Sequence, residues 1–258
     1  MKCRSTLAGL LAAPALLASC NWALGASPAS GSGEMLKLVF QRGLIQHYRY
    51  HYTFSGKSSY AAADRPLEAD SAGNLIWEVT SADAGGVATI LSKETGSHNG
   101  SSGLASVTTS VSNTFQLAPD GRIASPDPTS PFNEVMFVVL PEHPVRSGDM
   151  WRRTFSQAVG AGGGSMVSEA SGRLERYESL HGVRTAVITT GLESRCVGSK
   201  PQTDEAWATH STTWLDSKLG RIEKVIMTSA LDLTTGGTAN APLRLVGKVK
   251  YELERVAV

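Results

Sequence analysis

Polar and apolar residues alternate with period two along most of this chain. In LRLVGKVKYELER, residues 243–255, Leu243, Leu245, Val249, Tyr251 and Leu253 share one face, while Arg244, Lys248, Lys250, Glu252 and Glu254 share the other. A run of this kind predicts an antiparallel strand with one buried face. IQHYRYHYTF, residues 45–54, repeats the pattern with aromatics, placing Tyr48, Tyr50, Tyr52 and Phe54 two apart. NLIWEVTSADAGGVATILSKET predicts two strands joined at Asp83 to Gly86, and RLERYESLHGVRTAVITTGLES two more joined around His181-Gly182. DSAGN (70–74) and APDGR (118–122) have the Asp and Gly content of turns. The expected fold class is all-β.

One stretch departs from alternation. SPFNEVMFVVL, residues 130–140, offers Ser130 as a helix N-cap and Pro131 at the first helical position. Its length and the Val138-Val139 pair suit a buried strand equally well, so a short helix in residues 131–140 stands beside that alternative.

The two halves of the chain resemble each other. YTFS at 52–55 parallels RTFS at 153–156, and GVATIL at 86–91 parallels GVRTAV at 182–187. Gly121-Arg122-Ile123 also matches Gly220-Arg221-Ile222. Three matches in the same order, at offsets near one hundred, indicate an internally duplicated antiparallel β-meander. The repeats span about 40–125 and 145–235 within a single β domain, 36–258, that ends in the strand at 243–255. Two such meanders can stack as a sandwich or continue into one curved half-barrel.

The segment joining them carries LPEHPVRSGDMW. It resembles the LPxxPVxxGDxW connector of exported, β-rich bacterial proteins of unknown function. Pro141, Pro144, Val145, Gly148, Asp149 and Trp151 all fall on that pattern. The prolines stiffen the crossing, Gly148-Asp149 turns the chain, and Trp151 starts a core strand.

The first residues form a separate region. Lys2 and Arg4 precede the apolar run Leu7 to Leu17, which is too short to span a bilayer and has the layout of an export signal, residues 1–19. Leu17-Ala18-Ser19-Cys20 resembles the lipobox of bacterial lipoproteins. That resemblance implies a diacylglycerol on Cys20, a signal removed before it, and stable membrane attachment by two acyl chains. The alternative is an ordinary secretory signal cut near Gly25 or Ala26. Either way the chain is expected outside the cytosol, in the cell envelope, facing the periplasm or the cell surface. Residues 20–35, rich in Ala, Gly and Ser, read as a flexible tether.

Loss of Lys2 and Arg4 moves the formal charge from +1 to −1. A near-neutral chain without basic runs argues against nucleic acid as a partner. Of the three cysteines, Cys3 leaves with the signal and Cys20 is acylated, so Cys196 is the one free thiol and no intrachain disulfide forms.

Candidate chemistry is sparse. His47 and His51 would pair on a helix, but on a strand they stand about 13 Å apart, four rises of ~3.3 Å. Two ligands of one zinc must each lie within about 2.1 Å of it, and Arg49 between them repels a cation. No nucleophile elbow, zinc-helix motif or phosphate loop is present. GSHNGSSG, 96–103, brings Ser, His and Asn together on what reads as a flexible glycine loop, which cannot hold a triad. GAGGG, 160–164, reads as a hairpin tip. Tyr48, Tyr50, Tyr52, Phe54 and Trp151 form either core packing or the wall of an apolar cavity.

The sequence therefore predicts a non-enzymatic, lipid-anchored cell-envelope protein that binds an apolar ligand or a protein partner, with no cofactor and no metal. In outline it resembles the curved half-barrels of bacterial lipoprotein carriers. The alternatives are an exported hydrolase whose residues converge from separate strands, and a purely structural envelope component.

Overall fold

The computed structural model describes residues 33–60, 63–100, 107–125, 138–159, 164–197, 205–238 and 241–256. Among them the secondary structure is all β: β1 (Ile45–Tyr60), β2 (Ala63–Ala82), β3 (Ala88–Gly100), β4 (Val107–Leu117), β5 (Ile123–Ser125), β6 (Met150–Val159), β7 (Gly164–Leu180), β8 (Val183–Val197), β9 (Glu205–Asp216), β10 (Arg221–Thr238) and β11 (Ala241–Arg255). They form one antiparallel sheet in the order β5-β4-β3-β2-β1-β11-β10-β9-β8-β7-β6. A single continuous sheet removes the sandwich alternative and leaves an open, curved meander.

The order displays the repeat. β1–β5 and β6–β10 run through the sheet in the same sense, and β11 sits between them, pairing with β1 and β10. The irregularities recur too. β2 slips against β3 between Val79 and Ser81, and β7 slips against β8 between Leu174 and Arg176. β5 carries one extra residue, Ala124, against β4, as β10 carries Glu223 against β9. Gly121 and Gly220, the glycines of the matching GRI triplets, both hold positive φ, 89° and 62°. Bulges and left-handed glycines fix where a strand bends, so the two halves bend at equivalent places.

The bending curls the sheet until distant strands meet. Leu38 donates its backbone N–H to Pro119 in the β4–β5 turn (2.7 Å), and the next residue, Val39, donates to Gly220 in the β9–β10 turn (3.0 Å). Along the sheet β4 and β9 are six strand spacings apart, about 29 Å at ~4.8 Å each. Consecutive residues reach both only because the sheet has wrapped around them. The segment 33–44 is thus a strap across the concave face, and Glu34 pairs with Val145 of the connector (2.9 Å). Residues 33–35 belong to this strap rather than to the tether expected over 20–35.

The aromatic ladder faces this strap. Leu36, Leu38, Tyr48, Trp77, Ile90, Leu140, Trp151, Leu174, Ile188, Leu215 and Leu253 belong to one buried cluster, with residues from both repeats. Each such side chain contributes roughly 1.5–3 kcal/mol of transfer free energy. One core therefore needs both halves, the strap and the connector together.

Three local expectations change. DSAGN is not a turn: Asp70–Asn74 lie inside β2, paired with β1 and β3. Ser71 and Gly73 continue the inward-facing alternation, so register overrides turn composition. GSHNGSSG is not all loop, because residues 96–100 close β3, with Ser71 and Val107 as the partners of His98. In SPFNEVMFVVL, residues 130–137 lie outside the described residues, and Val138–Leu140 are buried without helix or strand geometry. The APDGR turn, the two hairpin joints and the strand at 243–255 form as expected. Val159 pairs with Gly164, and residues 160–163 of the expected GAGGG tip lie outside the described residues.

Candidate functional site

The side chains expected as an apolar wall are placed first. Tyr48, Tyr50, Phe54 and Trp151 are buried at 1%, 5%, 8% and 5% exposure, and Tyr52 is half-buried. Tyr48 meets Trp77 edge-on at 5.2 Å, Trp77 meets Phe115 at 5.9 Å, and Tyr50 stacks on Tyr251 at 6.3 Å. Glycines seat the rings flat against the sheet: a Cβ at Gly172 would enter the Trp151 indole, and one at Gly96 would strike the Tyr50 hydroxyl. The Trp151 indole N–H donates to the Val139 carbonyl at 2.8 Å, tying β6 to the connector. Tyr48, Tyr50 and Trp151 share a cluster with strap and connector residues, Phe54 belongs to a second cluster with Leu231 and Val249, and Tyr52 packs against both. Burial pushes the Tyr50 phenol up to about 12, with Glu94 nearby adding to the shift. A phenol of this kind stays protonated at neutral pH and supplies no base.

His47, Arg49 and His51 lie on the opposite, convex face of β1. His51 Nε2 lies 3.2 Å from Asp70 Oδ1, and both side chains are about half exposed (49% and 58%). Among the described residues no group of three His, Cys, Asp or Glu is placed to hold a metal ion.

Space is found on that convex face. A trough of ≈ 940 Å³ opens across β7, β8, β9, β10 and β11 and reaches Ser55 of β1. Its floor is two alanines, Ala208 and Ala230, which are direct partners across β9 and β10. Longer side chains flank them because the register sets them there. Lys248 is the cross-strand partner of Ala230 on one side, and Glu193 is the partner of Ala208 on the other. Glu169 lies beyond Glu193, its partner on β7. Arg195 and Val246 complete the walls one row along.

The charges of the trough are uneven. Asp232 at its rim accepts from Nε and Nη2 of Arg244, at 2.9 and 2.7 Å, which holds its carboxyl below the ordinary value. Glu169, Glu193, Arg195 and Lys248 make no ion pair with another described residue. Two carboxylates directly opposite each other on adjacent strands destabilise a sheet by roughly 0.2–1 kcal/mol. A cation brought between them would relieve that repulsion.

A second hollow of ≈ 490 Å³, beside Arg49, His51, Lys224, Glu252 and Glu254, differs in this respect. His181 reaches Glu254 at 2.9 Å, Lys224 reaches it at 3.4 Å, and Lys250 reaches Glu252 at 2.7 Å. Its carboxylates are already matched by neighbouring bases.

None of the trough residues stood out in the sequence. Their only trace is that alanine occupies the polar face of β9 and β10, where longer side chains are the rule elsewhere. The described lining of the trough offers charge and shape for recognition. No family model matches this chain, and no curated protein is significantly similar to it.

Proposed function

We propose that this chain is a non-enzymatic cell-envelope protein, anchored by a lipid on Cys20, whose convex sheet face binds a partner protein. One observation carries the reading. The main buried cluster contains strap and connector residues, and a trough of ≈ 940 Å³ opens on the opposite face between Glu169, Glu193, Arg195 and Lys248, none of which forms an ion pair with another described residue. The lipobox resemblance at Leu17–Cys20 supports the anchor, and the connector resemblance at Leu140–Trp151 supports an exported address.

A photo-crosslinking residue placed at Ala230 tests this in intact envelopes. One discrete protein adduct is expected from Ala230, and none from a control at Glu78, far from the trough on β2. Lipid adducts alone, or equal adducts from both positions, would sink the reading.

A further inference from the structure

The trough has a direction, and that direction restricts what fits it. Its floor follows the paired alanines of β9 and β10, and its lining runs from Ser55 on β1 across β11 to Val167 and Glu169 on β7. The inner charged positions, Lys248 on β11 and Glu193 on β8, stand three strand spacings apart, about 14 Å at ~4.8 Å each. The flanks carry opposite charge at the same level: Lys248, Ala230, Ala208, Glu193 and Glu169 form one continuous row of cross-strand partners.

We propose that the trough receives an extended segment of a partner protein in which basic and acidic residues are neighbours in sequence. This rests on the partner-binding reading above and names the segment's chemistry. In an extended chain successive side chains point to opposite sides, so a basic residue aimed at Glu193 and Glu169 puts its neighbour towards Lys248. An acidic neighbour then completes the match. Arg195, one row along β8, adds a place for a further acidic side chain and disfavours a purely basic segment. A purely acidic segment meets Glu169 and Glu193 instead. The small floor suits main chain passing close to the sheet, which larger residues at 208 and 230 would lift away.

Fluorescence anisotropy with three labelled peptides of equal length tests it. One sets a Lys-Glu-Glu run in a Thr and Val background, one carries Lys at all three charged positions, and one carries Glu at all of them. The mixed peptide should bind the intact protein at least tenfold more tightly than either other. Ala208→Trp should weaken it at least tenfold. Lys248→Glu, a change at an exposed position, should weaken it and raise affinity for the all-Lys peptide. Equal binding of the three peptides, or indifference to both substitutions, would overturn the proposal. If the Ala230 adduct forms while the mixed peptide fails to bind, the partner docks by another surface chemistry and this inference alone is wrong.

Discussion

Arg153 and Asp120 meet at 2.7 Å although they come from opposite ends of the sheet. Arg153 stands on β6, the last strand in hydrogen-bonding order, and Asp120 occupies the turn next to β5, the first. The second arm of the same guanidinium reaches Glu142 of the connector at 2.7 Å. The edges of this open sheet are therefore clasped by side chains where a barrel would use a ladder.

Breaking the clasp should be costly. The two side chains are 12% and 18% exposed, between the surface pairs worth under ~1 kcal/mol and buried pairs whose rupture costs about 3–5. Arg153→Met should lower stability by roughly 2 kcal/mol on those grounds, read as a shift in urea midpoint. A change below the scatter of surface substitutions would show that the edges are held by something else.

The same pair sets a pH dependence. Burial opposes ionisation of Asp120, but the Arg122 amide and the guanidiniums of Arg153 and Arg122 outweigh it and hold the carboxyl below its ordinary value. A carboxyl lowered by folding contributes its full stabilisation above the unfolded value, near pH ~4, and loses it as pH falls through the lower folded value. Asp120→Asn should therefore cost stability at neutral pH and shrink the difference from wild type below pH ~4. A difference that stays constant from neutral pH into acid would contradict the assignment.

Trp151 and Gly172 form a second coupled pair. Trp151→Ala removes a buried aromatic, typically about 3–5 kcal/mol, and both repeats should unfold in one transition because they share one cluster. Gly172→Ala should destabilise as well, since its new methyl enters the indole. In the Trp151→Ala background that second change should lose most of its effect. Two separate transitions would show that the repeats are independent.

Much of this fold was legible in residue order. Alternation placed the strands, and the GRI triplets located the repeat because a left-handed glycine is needed at each turn. What failed did so for a non-local reason. Asp70–Asn74 looks like a turn and is strand, because Tyr50 and the neighbouring strands need small residues there. The strap alternates only over Leu36, Leu38 and Phe40, too short a run to announce its place. Leu36 and Leu38 acquire meaning only once the sheet curls around them. The trough is equally silent, being set by the register of strands far apart in the chain.

The anchor has its own test. Cys20→Ala should leave the protein in the aqueous phase on detergent partition, while wild type enters the detergent phase. Wild type that stays aqueous, with a mature N-terminus at Ala26 or Ser27, would remove the lipid from the account.

The claim that the convex trough, not the concave core, is the working surface is tested most directly by thiol protection. In a Cys196→Ser background, single cysteines are introduced by Ala230→Cys in the trough and Tyr52→Cys on the concave face, and maleimide labelling rates are compared between native envelopes and purified protein. The account predicts at least tenfold slower labelling at position 230 in the envelope, with position 52 unchanged. Protection at position 52 with none at position 230 would place the partner or ligand inside the curled sheet and contradict it.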